Sequence, residues 1–446
     1  MFFQKIKNYY HLFQSLIANI RYGFPARNMK VIGVTGTDGK TTCASMIYHI
    51  LKTNGFKVAM ITTIYAKAGD EIINTGLHVT TPEPWQLPML IAKFRAKGYD
   101  YLVLESTSQG LDQHRLFGIT YDTSLITNIG HDHLDYHKTW ENYANAKFKI
   151  IRKTAKYGQA LINRDHESFD WLYKKVKPIR NSLCSIEAFS KSDVIKLKKT
   201  INGMQFEYRD QIFQTTLIGD YNLENSMGVI RLCERYLDLD KIAMALKSFE
   251  PPIGRMQVLQ SSPFTIIVDF AHTPSSLDNA LKAVINAKAE KSKIICVFGC
   301  AGERDKNRRK MGEVSTSLAD VTLVTLEDPR SEKVKEINDE ILAYAKKNDP
   351  RLVKRYASHD EYIEGSNQFI SKFSKHNSSK ILFTFDYDDI QNRIDAIEFG
   401  IKLCGKGDIL FITGKGHEQS LAIGNPAIEH EYTDQATVVS LIKKSV

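Results

Sequence analysis

Gly36-Thr37-Asp38-Gly39-Lys40-Thr41-Thr42 follows the apolar run Val31-Ile32-Gly33-Val34 and leads into a helix-like stretch, Thr42–Leu51. A glycine-rich turn between a buried strand and a helix points backbone N–H groups at an anion, and the helix adds its positive end. In that setting Lys40 reaches the β- and γ-phosphates of a polyphosphate, and Thr41 offers its hydroxyl to Mg²⁺. The general phosphate-loop pattern has glycine five residues before the Gly-Lys pair; Val34 stands there, and Gly33 falls one residue too early. A second polar group follows two other strand-like runs. Glu105 comes directly after Tyr101–Leu104, and Asn128-Ile129-Gly130-His131-Asp132-His133-Leu134-Asp135-Tyr136-His137 comes after Thr123–Thr127. A carboxylate and an imidazole at the same sheet edge as the loop could hold Mg²⁺ beside the phosphates. Three histidines and two aspartates within seven residues are denser than capping a helix requires.

Positioning these groups needs parallel strands that end on one edge. Strand-like runs at Val31–Val34, Val58–Ile61, Tyr101–Leu104, Thr123–Thr127 and Ala160–Ile162 alternate with helical segments, which predicts a parallel sheet wrapped by helices. Around Thr200–Leu217 the texture changes to short alternating strands, a small antiparallel insertion. Phe249-Glu250-Pro251-Pro252-Ile253-Gly254 marks a boundary. Beyond it α/β alternation resumes at Thr265–Asp269, Ile294–Gly299, Val321–Thr325, Ile381–Thr384 and Ile409–Thr413. The expected organisation is α/β throughout: an N-terminal amphipathic helix over 1–29, a central nucleotide-binding domain over 30–250 and a C-terminal domain over 251–446.

The chain has 446 residues, 43% hydrophobic and 25% charged, an ordinary globular composition. Its net charge of +9 suits anionic ligands, but the basic residues are scattered rather than patched, which argues against nucleic acid. The six cysteines form no CxxC pair, so a reducing, cytoplasmic setting is expected, and no apolar run is long enough to span a bilayer. In Met1–Arg27, Phe2, Ile6, Tyr9, Tyr10, Phe13, Leu16 and Ile17 recur at roughly helical spacing, with Lys5, Lys7, Arg21 and Arg27 among them. Such a helix packs onto its own protein or lies on an anionic membrane or lipid substrate; packing is the commoner case.

The runs VIGVTGTDGKTT, Thr80-Thr81-Pro82, LESTSQGLDQHR (104–115), TNIGHDHLDYH and YANAK together resemble the Mur ligases. The likeness continues in VDFAHTPSSL (268–277), FGCAGERDKNRRKMG (298–312), LEDPRSE (326–332) and TGKGHE (413–418), and it spans about residues 30 to 446. It is nearest the MurE type, UDP-N-acetylmuramoyl-tripeptide synthetases, which add the third amino acid of the peptidoglycan stem peptide. The resemblance implies a central P-loop ATPase domain and a C-terminal Rossmann-like domain; a monomer is expected. It also implies a reaction in which ATP phosphorylates a substrate carboxylate and an amine then displaces phosphate from the acyl phosphate.

The same resemblance assigns residues. Gly36, Thr37, Asp38, Gly39, Lys40, Thr41 and Thr42 would hold ATP, with Asp38 replacing the family's usual asparagine. Asn222 and Asn225 would lie near the base, and Arg255, Asp269 and His272 where the C-terminal domain closes over ATP. Lys40, Glu105, His133 and Lys147 would be catalytic. Thr41, Glu105, His133 and Lys147 would serve the magnesium ions, Lys147 as a carbamate made from CO₂, since it lies fourteen residues after His133 in a matching context. Thr80, Thr81, Ser108 and Arg115 would face the muramoyl-peptide, and Arg304, Asp328, Arg330, Gly414 and Glu418 the incoming amino acid. Arg330 after Pro329 favours meso-diaminopimelate, although Asp328 stands where diaminopimelate-adding members have asparagine. MurE-type enzymes carry an N-terminal UDP-binding domain, and here some thirty residues precede the loop. The acceptor is therefore expected to be UDP-linked with fewer contacts, or another carrier, lipid-linked among them. A folylpolyglutamate-like or cyanophycin-like ligase and a non-catalytic nucleotide-binding homologue are the alternatives.

Overall fold

The computed structural model describes residues 2–73, 82–178, 184–373 and 380–445. The chain divides into two compact units, Met1–Glu250 and Pro251–Val446.

The first unit is built on eight strands: β1 (Lys30–Thr35), β2 (Val58–Ile61), β3 (Ala66–Ala68), β4 (Glu71–Ile73), β5 (Tyr101–Glu105), β6 (Tyr121–Ile126), β7 (Thr154–Asn163) and β8 (Ser185–Phe189). Their order is β4-β3-β2-β5-β1-β6-β7-β8. All neighbouring pairs are parallel except those made by the two short edge strands β3 and β4. The central strands are buried on both sides, as strands of parallel sheets generally are. Ile32 and Val34 face one core with Val103 and Leu125, while Val31 faces the other with Leu102, Leu104 and Ile126. Because β1 lies between β5 and β6, and Val34 is level with both Glu105 and Leu125, the loops leaving these three strands emerge on one edge. Open α/β sheets bind ligands at such an edge, outside the carboxyl ends of their strands.

Six helices matter to that edge: α1 (Phe2–Arg21), α2 (Lys40–Thr53), α3 (Gln86–Ala96), α4 (Ser108–Asp112), α5 (Leu134–His137) and α6 (Trp140–Arg152). The Thr139 hydroxyl caps α6 by accepting from the Asn142 N–H at 3.2 Å, which fixes where the helix starts and which residues it turns inward. A three-stranded antiparallel sheet follows β8: β9 (Ile195–Thr200), β10 (Gly203–Tyr208) and β11 (Gln211–Thr215). It begins slightly before the predicted insertion.

The second unit repeats the architecture with β12 (Gln257–Gln260), β13 (Thr265–Val268), β14 (Ile294–Phe298), β15 (Val321–Val324), β16 (Arg351–Tyr356), β17 (Ile381–Phe385) and β18 (Ile409–Ile412). The order is β12-β13-β18-β14-β15-β17-β16, parallel except for β12. A two-stranded ribbon, β19 (Ser420–Ile423) with β20 (Ile428–Glu431), follows.

The structure adds to the expectation for α1 the face through which it packs. The helix does pack on its own unit, but through its polar side: Ser15, Ala18 and Asn19 are buried, while Tyr9, Tyr10, Phe13 and Ile20 are exposed. Among the described residues, no helix is long and apolar enough to cross a membrane.

Candidate active site

Gly39, at φ 81° in the left-handed region that suits glycine, ends the loop and starts α2. Asn128, two residues past the end of β6, organises the turn. Its side-chain oxygen accepts from the N–H groups of Thr37 (3.1 Å) and Asp38 (2.9 Å), and its backbone oxygen accepts from the Thr37 N–H at 3.0 Å. Thr127 donates its hydroxyl to the Asp38 carbonyl at 2.6 Å. A Cβ on Gly36 would meet that hydroxyl oxygen at 1.8 Å, so the close approach needs glycine. Lys40 folds back over the turn and donates to the Thr37 carbonyl at 2.7 Å.

Beneath the loop, the Thr41 hydroxyl donates to Glu105 at 3.0 Å, with both residues buried. The Glu105 carboxylate also accepts from the Thr63 N–H (3.1 Å) and the Thr63 hydroxyl (2.9 Å). Hydroxyl and carboxylate oxygens held together at the start of a phosphate loop are the hard donors that Mg²⁺ prefers, so these residues fit the ion. Thr63 carries no signal in the sequence beyond its distance from β2.

Lys147, on α6, is 1% exposed and lies against the same loop, with its Nζ donating to the Gly36 carbonyl and standing 4.6 Å from the Tyr143 ring centre. Burial, and then the Lys40 ammonium, hold its pKa well below that of an ordinary lysine. Tyr143 supports the arrangement, its hydroxyl 2.9 Å from that of Thr37, which in turn accepts from the Gly130 N–H at 2.8 Å.

The histidine-rich segment separates by role. His133 sits at φ 54° with its side chain half-exposed and its Nε2 3.4 Å from Asp132. His137 is buried with its Nε2 3.0 Å from the Ser108 hydroxyl, and burial pushes its pKa down to about 4. His131 is exposed. Of the three imidazoles, those of His131 and His133 thus stand exposed, while that of His137 lies in the core.

Of the residues expected to face the acceptor, Thr80 and Thr81 lie outside the described residues. Ser108 is buried against His137, and Arg115 is 3.2 Å from Glu83. Asn222 and Asn225 are buried on the helix spanning Asp220–Cys233. Asn222 donates to the Ile218 carbonyl at 2.9 Å, and Asn225 backs Gly39 so closely that a Cβ there would meet its side-chain oxygen at 2.4 Å.

In the second unit, two groups form at the ends of the parallel strands. After β13, the Asp269 carboxylate accepts from the N–H groups of Met256 (2.7 Å) and Ala271 (2.8 Å), and burial raises its pKa. Arg255 stacks 4.4 Å from the Phe270 ring centre, and His272 is 4.5 Å from it on centroids. After β15 and β18 lie Glu327, Asp328, Arg330, Lys415 and Glu418. Fully buried Lys415 is 2.8 Å from Asp328 and 2.6 Å from Glu418. Burial, and then the Asp328 charge, push Glu327 up to about 7. Although burial opposes it, Lys415 pulls Asp328 below the ordinary carboxylate range. Arg330 donates to the Gly302 carbonyl at 2.6 Å, and its other terminal nitrogen is 4.0 Å from Asp328. Gly414 at φ 107° packs against Glu327. Arg304 is exposed. Lys415 went unremarked in the sequence, yet its charge balances the aspartate that stands in place of asparagine.

Residues 34–233 match the Mur ligase middle domain, and residues 254–416 match the Mur ligase glutamate ligase domain. The UDP-N-acetylmuramoyl-L-alanyl-D-glutamate--2,6-diaminopimelate ligase 1 of Clostridium acetobutylicum is 31% identical over 430 residues, covering 94% of this chain and 79% of the relative. A solved structure of a UDP-N-acetylmuramoyl-L-alanyl-D-glutamate--2,6-diaminopimelate ligase superposes with a TM-score of 0.61 at 25% identity, covering 94% of this chain and 79% of that one. The MurF ligase of Thermotoga maritima in complex with ADP shares the fold, with a TM-score of 0.62 at 20% identity over 97% of this chain and 83% of that one. Two matched domains in order, a phosphate loop held by its neighbouring strand, and a relative aligned over nearly the whole chain make this protein a member of the Mur ligase family.

Proposed function

We propose that the chain is an ATP-dependent ligase that joins an amino acid, meso-diaminopimelate by preference, to the free carboxylate of a muramoyl-peptide. The observation that carries this reading is the convergence of Lys40, the Thr41–Glu105 pair and buried Lys147 on one loop. ATP would lie with its phosphates on the loop amides, where Lys40 and the start of α2 face the γ-phosphoryl group. The acceptor carboxylate attacks that phosphorus and ADP leaves, giving an acyl phosphate; the amine then adds to the carbonyl carbon and phosphate departs. Such chemistry consists largely of positioning and charge neutralisation. Mg²⁺, held by Thr41 and Glu105 with His133 and Lys147 serving a second ion, would supply that neutralisation.

The environment of Lys147 supports carbamoylation. Only a neutral amine adds to CO₂, forming an N–C bond and losing a proton to give an anion, and the depressed pKa supplies the neutral amine. On the second unit, Arg330 supports recognition of a second carboxylate on the incoming amino acid. The Lys415–Asp328 pair keeps the neighbouring aspartate from repelling that carboxylate.

The test is ADP and phosphate release from the purified chain with UDP-muramoyl-dipeptide, ATP, Mg²⁺ and separate amino acids. Turnover with meso-diaminopimelate well above lysine is expected. Absence of turnover with every muramoyl acceptor, UDP-linked or lipid-linked, would sink the proposal.

A further inference from the structure

Helix α1 is attached the wrong way round for an amphipathic helix on a globular protein. Gln4, Asn8, His11, Ser15 and Asn19 recur every three or four residues and so share a face. That polar face meets the rest of the unit. Gln4 donates to the Tyr136 hydroxyl (3.0 Å), Asn8 to the Asp112 carboxylate (3.1 Å), Ser15 to the His114 carbonyl (3.0 Å) and Asn19 to the Phe117 carbonyl (3.1 Å). Asn19 sits so close to Gly118 that a Cβ there would meet its side-chain oxygen at 2.5 Å. The opposite face carries the large apolar groups, with Tyr9 70%, Phe13 60% and Ile20 62% exposed beside Tyr10, Leu16 and Ile17. At the helix end Tyr22 meets Trp85 edge-on, and Trp85 and Met89 extend the exposed apolar surface toward α3. A contiguous apolar stripe of this kind marks a surface that something covers.

We propose that this face of α1 binds an anionic lipid surface. Residues 1–27 hold Lys5, Lys7, Arg21 and Arg27 and not one aspartate or glutamate, and Lys7 and Arg21 are exposed. Cations flanking an apolar, tyrosine-bearing stripe match an interfacial helix, whose side chains enter the headgroup boundary while its charges meet lipid phosphates. A second copy of the chain fits less well, since pairing two such faces sets like charges together. The hydrogen bonds of the polar side would then join the lipid surface to the segment between Ser108 and Arg115 and to Tyr136. Only that last consequence, an acceptor segment held at the membrane, rests on the ligase reading.

The experiment is sedimentation of the full chain with vesicles of phosphatidylglycerol mixed into phosphatidylcholine, and with phosphatidylcholine alone. Binding to the anionic vesicles, weakening as salt rises, is expected. A Phe13→Asp/Ile17→Asp variant should lose binding by at least about tenfold, since it removes apolar contact and adds anions. A Lys7→Gln/Arg21→Gln variant should lose about tenfold on anionic vesicles only. All four positions are exposed, so unchanged thermal midpoints and unchanged turnover of soluble substrates are expected in both variants. No binding to anionic vesicles, or binding that the Phe13/Ile17 variant retains, overturns the proposal. A vesicle-free dimer that the same variant dissolves, without vesicle binding by the wild type, also overturns it and assigns the face to a second copy.

Discussion

Lys147 shows how an unpromising side chain acquires a chemical role from its surroundings. A lysine on an amphipathic helix is ordinarily solvated; this one is enclosed, touches the loop carbonyl of Gly36 and has another ammonium nearby. Its position after His133 was legible from spacing and context. Its burial was not, because burial depends on where the Thr139 cap starts α6 relative to β1. If Lys147 works as a carbamate, Lys147→Ala should lower kcat by about 10²- to 10³-fold, as the loss of a preorganised charge does. A small carboxylate such as acetate should restore part of the rate by occupying the vacated anionic position. Wild-type rates should fall in CO₂-depleted buffer and return with bicarbonate. Full activity of the wild type without CO₂ would reject the carbamate, whatever the alanine variant does.

Strands β1, β5 and β6 were readable because central strands of a parallel sheet are nearly continuous apolar runs, and their adjacency alone brings the loop, Glu105 and Asn128 to one edge. Edge strands were not. β3 and β4 are three residues each, and β16 reads Arg-Leu-Val-Lys-Arg-Tyr, a pattern that a loop shares. Periodicity likewise revealed that α1 is amphipathic but not which face turns inward, since its polar face is tied down by hydrogen bonds from Asn8, Ser15 and Asn19. The loop itself has a constraint visible only in three dimensions. Gly36→Ala would drive a methyl group into the Thr127 hydroxyl that secures the Asp38 carbonyl, costing about 1–3 kcal/mol as overpacking does. Thr127→Ala alone loses the hydrogen bond, at about 1 kcal/mol. Because the clash and the bond involve the same oxygen, the double variant should cost less than the sum, which denaturant midpoints of the four proteins will show. Strict additivity would mean that the loop relaxes away from β6.

At the scale of the molecule, the two units carry different reporters. Trp85, Trp140 and Trp171 are the chain's three tryptophans, and all lie in the unit Met1–Glu250 that also holds the phosphate loop. Tryptophan fluorescence therefore follows the unfolding of the nucleotide-binding unit alone, whereas far-ultraviolet circular dichroism follows helices and strands in both. A ligand that binds only the folded state stabilises it by about 2.7 kcal/mol at a hundredfold excess over its dissociation constant. For a unit of this size each kcal/mol moves the midpoint by about 2–4 °C, so Mg²⁺ and ATP together should raise the tryptophan-detected midpoint by about 5–10 °C. If Thr41 and Glu105 hold the ion as proposed, chelating the magnesium should reverse most of that shift. Lys40→Ala should reduce the shift without changing the midpoint of the free protein appreciably, since among the described residues Lys40 donates to the loop's own Thr37 carbonyl. A nucleotide-induced shift seen by circular dichroism but absent from tryptophan fluorescence would place the nucleotide's main contacts outside the loop. It would remove the physical basis on which Lys40, Glu105 and Lys147 are assigned to phosphoryl transfer.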